Sequence, residues 1–259
     1  MMVSYVIPNL ANACRMIDVL SSSEHGLSLS ELEQRLIIPR TTAFRILQTL
    51  CQQQLVEKHG KKYLAGTQLY KLGLSLLASQ PIKQCALPML QQLSLSTGFS
   101  CHLALPHARG SLLVEVYDSP NPLRMAARPG TVVPFNCSAS GKLFLAFRHF
   151  DEVSTLIDGG CFESRTPQSI MGAAEMKSEL QRVLARGYAT DEQEYHNDVR
   201  CLAAPVRDEH GLVTAAIGVS APAVLFKKHQ IQDIAALVKQ SAIDVSLATY
   251  RPQLMAMAK

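Results

Sequence analysis

Residues 39–52, PRTTAFRILQTLCQ, constrain the chain more than any other stretch of similar length. At 3.6 residues per turn they divide into two helical arcs. Thr41, Thr42, Arg45, Gln48, Thr49 and Gln52 fall on one arc. Ala43, Phe44, Ile46, Leu47, Leu50 and Cys51 fall on the other. The apolar arc needs a core to pack on. The polar arc holds no carboxylate, and its Arg, Gln and Thr side chains are types that hydrogen-bond to base edges and phosphate oxygens. Pro39 suits the first helical turn, where its missing N–H loses no intrahelical bond. Taken alone, the stretch also fits an ordinary amphipathic surface helix, so its neighbours have to decide.

Upstream, residues 9–22 put Leu10, Ala13, Ile17 and Leu20 at helical spacing, with Asn9 as the expected N-cap. In SLSELEQRL, Ser30 is expected to cap a helix over 31–36. Glu31 and Glu33 then stand in its first turn, where the helix dipole favours anions, and Leu32 and Leu36 supply the buried side. A short helix, a tight turn and a second helix with a polar outer face form the helix-turn-helix layout.

Downstream, LVEKHGKKYLAG predicts strands over 55–58 and 62–65 around Gly60. By itself this is a basic surface turn. Directly after a recognition helix it is a wing, with Lys58, Lys61 and Lys62 facing phosphate; His59 reads as a solvated loop residue. Residues 34–62 hold six basic side chains and one acidic one, Glu57, although the whole chain carries only +4. Such a local excess is the footprint of a phosphate-binding face. The candidate DNA contacts are therefore Arg40 at phosphate, Thr41, Thr42 and Arg45 at base edges, Gln48 at the margin, and the three wing lysines.

A chain of 259 residues suits two domains with a core each. At 47% hydrophobic and 18% charged it is a folding sequence, not a disordered one. Its longest apolar runs, such as residues 143–147 and 212–219, fall far short of the roughly 20 residues that cross a bilayer. The first ten residues lack the charged and apolar regions of a signal peptide. Seven cysteines without a CxxC spacing point to a reduced, cytoplasmic protein.

Residues 67–77 and 86–97 read as amphipathic helices, with a break near Gln80-Pro81. From Phe99 the texture becomes strand-like: SCHLALPH, SLLVEVYD, LRMAAR, LAAPVRD and LVTAAIGVS, interleaved with helical runs at 141–148, 173–186 and 230–250. Hairpin-like pairings of His102 with Val114, and of Ala203 with Val213, point to an antiparallel sheet flanked by helices, an α+β arrangement. There is no GxGxxG or GxxxxGK[ST] nucleotide fingerprint. Residues 137–142, CSASGK, form a small-residue loop running into an apolar helix, whose free N–H groups would attract a carboxylate, with Ser138 and Ser140 adding hydroxyls.

The stretches LSLSELEQRL, PRTTAFRILQTL and LVEKHGKKYLAG resemble the winged helix-turn-helix of IclR-type transcriptional regulators. PGTVVPFNCSASGKLFLAF, SRTPQSI and ARGYATDEQEYHNDVRCLAAPVRDEHGLVTAAIGVSAP are similar to the effector-binding domain of that family, a GAF-like sensor. The resemblance spans nearly the whole chain in the family's order. It implies a winged helix over 1–67, a linker helix over 68–80 and a GAF-like domain over 81–259. It further implies a small carboxylate-like effector that modulates binding to a double-stranded DNA operator, with repression preferred to activation. A homodimer or homotetramer is implied, with no cofactor. Carried over position by position, the effector contacts are Ala139, Ser140, Asp191, Val199, Cys201, Gly218 and Ser220.

Four positions depart from the family pattern. Ile37 stands where Gly is common, and a Cβ-branched residue resists positive φ. Ala65-Gly66 ends the wing where Leu-Gly is usual. Asp198 stands where Gly is common. Gly218 stands where some relatives have Ser, and the missing hydroxyl leaves room for a larger or less polar effector.

Catalysis is not expected. Cys101 and His102 are adjacent, and adjacent strand residues point to opposite faces. Cys201, His196 and Asp191 are the residues that could form a nucleophilic set. His102, His107, His196, Asp191, Cys101 and Cys201 are the possible metal ligands, but no close ligand spacing joins them, and no metal is expected. The rival reading is a small-molecule sensor or Cys-dependent enzyme whose N-terminal module docks protein instead of DNA.

Overall fold

The computed structural model describes residues 5–78, 81–124 and 127–257. Gln80, at the expected break, and Met125-Ala126, in the expected strand LRMAAR, lie outside the described residues. Two compact units form, Met1–Gln80 and Pro81–Lys259.

The first unit runs α1 (Pro8–Ser21), β1 (Leu27–Ser28), α2 (Leu29–Leu36), α3 (Arg40–Gln52), β2 (Val56–His59), β3 (Lys62–Ala65) and α4 (Thr67–Ala78). The sequence period sets its core: Met16 and Leu20 of α1, Leu32 and Leu36 of α2, and Ala43, Ile46, Leu47 and Leu50 of α3 pack with Val56 and Tyr63. β1 adds to the hairpin in the antiparallel order β1-β3-β2, a strand the sequence pattern is too short to reveal.

The caps differ from expectation. α1 starts at Pro8, which the first turn accepts because it has no N–H to leave unpaired, so Asn9 lies inside the helix and caps nothing. α2 is capped by Ser28, not Ser30. Its hydroxyl accepts from Glu31 N while the Glu31 carboxylate accepts from Ser28 N, a reciprocal capping box. Hydrogen bonds to the carboxylate from the Ser28 hydroxyl, at 2.7 Å, and from the Ser28 N–H hold the Glu31 carboxyl below its usual range. Pro39 is the N-cap of α3 and not its first helical residue.

Ile37 ends α2 in the left-handed region, at φ 54°, with its side chain 89% exposed. Its N–H donates to Glu33 O at 2.9 Å, so the turn needs this conformation to close α2. A left-handed L-residue costs about 1–2 kcal/mol, and glycine gives back about 0.5–1 kcal/mol as lost chain entropy. Ile37→Gly should therefore stabilise the chain by about 0.5–1 kcal/mol. Urea denaturation measures it; a loss of stability would show that the Ile side chain contributes packing beyond its exposure.

The second unit runs α5 (Pro81–Thr97), β4 (Ser100–His107), β5 (Gly110–Tyr117), β6 (Val132–Pro134), α6 (Ala139–Arg148), α7 (Val153–Asp158), α8 (Ala173–Arg186), β7 (Ala189–Glu192), β8 (Val199–Arg207), β9 (Val213–Pro222) and α9 (Ile231–Met257). Among the described residues the strands form one antiparallel sheet in the order β6-β5-β4-β9-β8-β7. α5 and α9 cover one face, around Leu90, Leu103, Ile217 and Val238. α6, α7 and α8 cover the other, around Phe144, Leu143, Met176 and Val183. Side chains alternate between these layers along each strand.

The expected hairpin registers are displaced. His102 pairs with Val116, two positions from the expected Val114; a bulge at Leu103/Ala104 accounts for one of the two, and the tight turn between His107 and Gly110 for the other. Ala203 pairs with Gly218, while Val213 lies opposite Arg207. α5 begins well before residue 86 and carries Pro88 within it, which the periodicity does not anticipate. No helix of the described residues is long and apolar enough to cross a membrane.

Candidate functional site

Two surfaces carry the chemistry. The first is the outer face of α3 with the β2–β3 hairpin. Arg40, Thr41, Arg45 and Gln48 are exposed, Thr42 is half-buried, and Lys58, Lys61 and Lys62 are exposed on the hairpin. Arg40 is held by Glu33, at 2.8 Å, and by the Ser30 hydroxyl, both from α2. The Arg45 guanidinium makes no ion pair among the described residues. Glu57, the one acidic side chain of this stretch, forms no ion pair with these lysines among the described residues and has the His59 imidazole 3.4 Å from it. Its carboxylate accepts from Thr67 N at the start of α4, at 3.0 Å, and this bond holds its carboxyl below the usual range. The face therefore keeps its positive sign.

Phe44 is not where the helical arc puts it. Its side chain is 46% exposed, one turn from Arg40, Thr41 and Gln48, while Ala43, Ile46, Leu47 and Leu50 fill the core without it. An exposed aromatic on a face of base-reading side chains suits a thymine methyl. The arc assignment failed because residue 44 lies at the boundary of the apolar stripe, where hydrophobicity alone cannot tell core from surface.

The second surface is a cavity of about 290 Å³ between the sheet and the start of α6. Asp191, Cys201 and Ser220 line it from one cross-strand row: Asp191 pairs with Cys201, and Cys201 with Ser220. Val199 joins them two residues along β8. Ala139 and Ser140 line it from the first turn of α6. Six of the seven expected residues thus meet in one space. Gly218 is the exception, since it does not line the cavity. The room above it is filled by His102, which does; a Cβ at 218 would lie 2.4 Å from His102 Nε2. The expectation of extra room for a larger effector is therefore corrected.

The hydroxyls of the CSASGK stretch are partly committed. Ser138 caps α6, accepting from Gly141 N at 3.0 Å and donating to Pro134 O at 2.6 Å. Gly141 must be glycine, because a Cβ there would come within 2.3 Å of Pro134 O. The N–H groups of Ala139 and Ser140 are left without intrahelical acceptors. Ser140 Oγ meets Ser111 Oγ at 2.5 Å.

Asp191 is fully buried. Its Oδ1 accepts from Glu194 N at 2.7 Å and Tyr195 N at 3.3 Å, whereas its Oδ2 is buried with no N–H or hydroxyl donor among the described residues, and the Cys201 thiol stands beside the carboxyl. Burial, reinforced by the Glu194 charge, pushes its carboxyl up to about 7. Beneath it lies a second ion-paired layer. Lys142 Nζ of α6 contacts both Glu194 carboxylate oxygens, at 2.5 and 2.6 Å, with both side chains buried. Thr166 and Ser169 hydroxyls donate to Glu194 O at 3.1 and 2.8 Å, pinning the 166–169 loop to the same turn.

The nucleophilic set does not assemble. Burial and the Asp191 charge push the Cys201 thiol well above its ordinary range, so it is not a thiolate. His196 is an exposed loop residue near Asp198. Cys101 packs in the α5/α9 layer, whereas His102 faces the cavity on the other side. Among the described residues no three His, Cys, Asp or Glu side chains are grouped to hold a metal ion.

Sequence comparison matches residues 9–60 to the IclR helix-turn-helix domain and residues 74–247 to the bacterial transcriptional regulator IclR C-terminal domain. The chain is 29% identical to the HTH-type transcriptional regulator KdgR of Escherichia coli over 86% of each chain. It is 26% identical to the transcriptional repressor IclR of the same organism, over 93% of this chain and 90% of that one. Among solved structures, an IclR homolog from Microbacterium hydrocarbonoxydans complexed with 4-hydroxybenzoate superposes with a TM-score of 0.76, at 19% identity, over 93% of this chain and 98% of that one.

Proposed function

This chain belongs to the IclR family of bacterial transcriptional regulators, and from that premise we propose that it is a cytoplasmic repressor whose grip on a double-stranded DNA operator is set by a small carboxylate-bearing metabolite. As a member of a family of regulators, it is not an enzyme. The winged helix is assigned to 1–67, the connecting helix to 68–80 and the effector domain to 81–259. Arg40, Thr41, Thr42, Arg45, Gln48, Lys58, Lys61 and Lys62 are the proposed DNA contacts, to which the exposed Phe44 is added. The repressor sign follows the relative named as a repressor.

One observation carries the effector reading: six residues from four elements converge on one cavity, among them a buried carboxyl whose Oδ2 has no N–H or hydroxyl donor among the described residues. The Ala139 and Ser140 N–H groups offer donors to an anion. Asp191, held near neutrality in pKa, donates to that anion when protonated. The complex of 4-hydroxybenzoate with a structural relative supports an acid of this size. Effector acts on DNA binding only through its different affinity for the DNA-competent and incompetent arrangements. Among the described residues α4 buries no side chain and exposes Tyr70, Leu72 and Leu74, which supports pairing of subunits into homodimers, or homotetramers of them. Two winged helices then match an inverted repeat.

Isothermal titration with small organic acids tests the cavity. Affinity for a carboxylate should fall as pH rises through about 7, because ionised Asp191 repels the anion and loses its donor proton. A pH-independent affinity would remove Asp191 from the binding site.

A further inference from the structure

His102 is a polar group of the cavity that the effector reading leaves without a task, and it lies on the sheet floor. It stands on β4, and so lies on the cavity floor between Leu113 of β5 and the row of Ser220, Cys201 and Asp191 on β9, β8 and β7. It is 6% exposed, and no protein group among the described residues hydrogen-bonds to its ring. Burial drives the imidazole down to about 4, so at neutral pH it carries one N–H donor and one bare acceptor nitrogen.

Its partner in register is Gly218. A Cβ at 218 would lie 2.4 Å from Nε2 and 2.7 Å from Cε1 of the ring, with Leu202 O behind it at 3.0 Å. A side chain at 218 and the imidazole in place are therefore mutually exclusive. The ring occupies space that a side chain at 218 would take.

We propose that His102 is a specificity-determining residue of this cavity, and that the His102–Gly218 pair selects acids bearing a hydroxyl or oxo oxygen over acids with a plain hydrocarbon body. The proposal rests on the carboxylate reading of the cavity. A hydrocarbon body laid on the floor strips water from both ring nitrogens and replaces it with nothing. A hydroxyl accepts from the N–H or donates to the bare nitrogen, and an oxo oxygen accepts from the N–H. Sites built to hydrogen-bond a ligand group reject the analogue lacking it far better than apolar pockets reject an extra methylene.

The test is isothermal titration of the full chain with two matched pairs, 4-hydroxybenzoate against benzoate and pyruvate against propionate. The oxygenated member of at least one pair should bind about tenfold tighter or more. His102→Leu should bind both members of that pair alike. Gly218→Ser should push the ring off its seat and lose the preference. His102→Ala/Gly218→Ser makes room for a hydroxyl in its place and should regain the preference, which also covers the case of a poorly folded His102→Leu. Retention of the wild-type preference in His102→Leu, or its absence in the double variant, overturns the proposal. Equal binding of all four acids by the wild type overturns it and leaves the carboxylate reading standing. Binding of none of them overturns both.

Discussion

Lys142→Met should cost the effector domain about 3–5 kcal/mol of stability, the loss expected when one partner of a buried ion pair is removed. Met matches the length of the lysine stem, so the change removes charge and little volume. What it leaves is the Glu194 carboxylate, buried under α6 with its two closest contacts gone. Burial already pushes Glu194 up, against the pull of Lys142. Without Lys142 it takes up a proton instead of staying charged. The sign is then fixed: a carboxyl whose folded value lies above its unfolded one costs stability as pH rises through that folded value. The deficit of Lys142→Met should be smaller in mild acid than at neutral pH. Lys142→Met/Glu194→Leu should recover most of it, since replacing both members of a buried pair by apolar groups is often neutral. Urea unfolding of the three proteins at two pH values measures this. A single variant as stable as wild type at neutral pH would mean the pair is solvated in solution. Glu194 also holds Asp191 and the 166–169 loop in place, so effector affinity should fall with Lys142→Met even where the domain stays folded.

Arg45→Ala should cost about 1–3 kcal/mol of specific operator binding, roughly 5- to 150-fold in affinity. Its guanidinium is exposed on the α3 face and makes no ion pair among the described residues. Arg40 differs, being already engaged by Glu33 and Ser30, and fits a phosphate clamp at the start of the helix. Lys61→Ala should act differently again. It should weaken operator and unrelated duplex alike, and lower the slope of log affinity against log salt by about 1. Equal losses on operator and unrelated DNA for Arg45→Ala would place Arg45 on phosphate instead of a base.

The winged helix was legible because its determinants are local. The period of α2 and α3, the lysines around Gly60 and the turn at Ile37 all lie within about thirty residues. Even there, boundary residues misled: Ser28 caps where Ser30 was expected, and Phe44 faces outward, because each choice depends on the exact angle between neighbouring elements. Through the family resemblance six of the seven residues carried over meet at the cavity, but Gly218 does not line it, and the wiring around it was not legible. Lys142 and Glu194 are 52 residues apart, and nothing in either segment announces the other. His102 and Gly218 meet only once β4 and β9 are in register, and a bulge sets the other ladder of β4. Long-range register is what one sequence expresses least, since alternating strands tolerate several pairings until the whole sheet is closed.

DNA recognition by the α3 face is the central property of this chain as a regulator. The measurement is fluorescence anisotropy of the full chain titrated onto a labelled duplex from upstream of its own gene, and onto a scrambled duplex, at two salt concentrations. Tight, salt-dependent binding that prefers the upstream duplex is expected, with loss of that preference in Arg45→Ala. Absence of binding to either duplex at low salt would contradict it, and would leave the N-terminal unit as a module that docks protein.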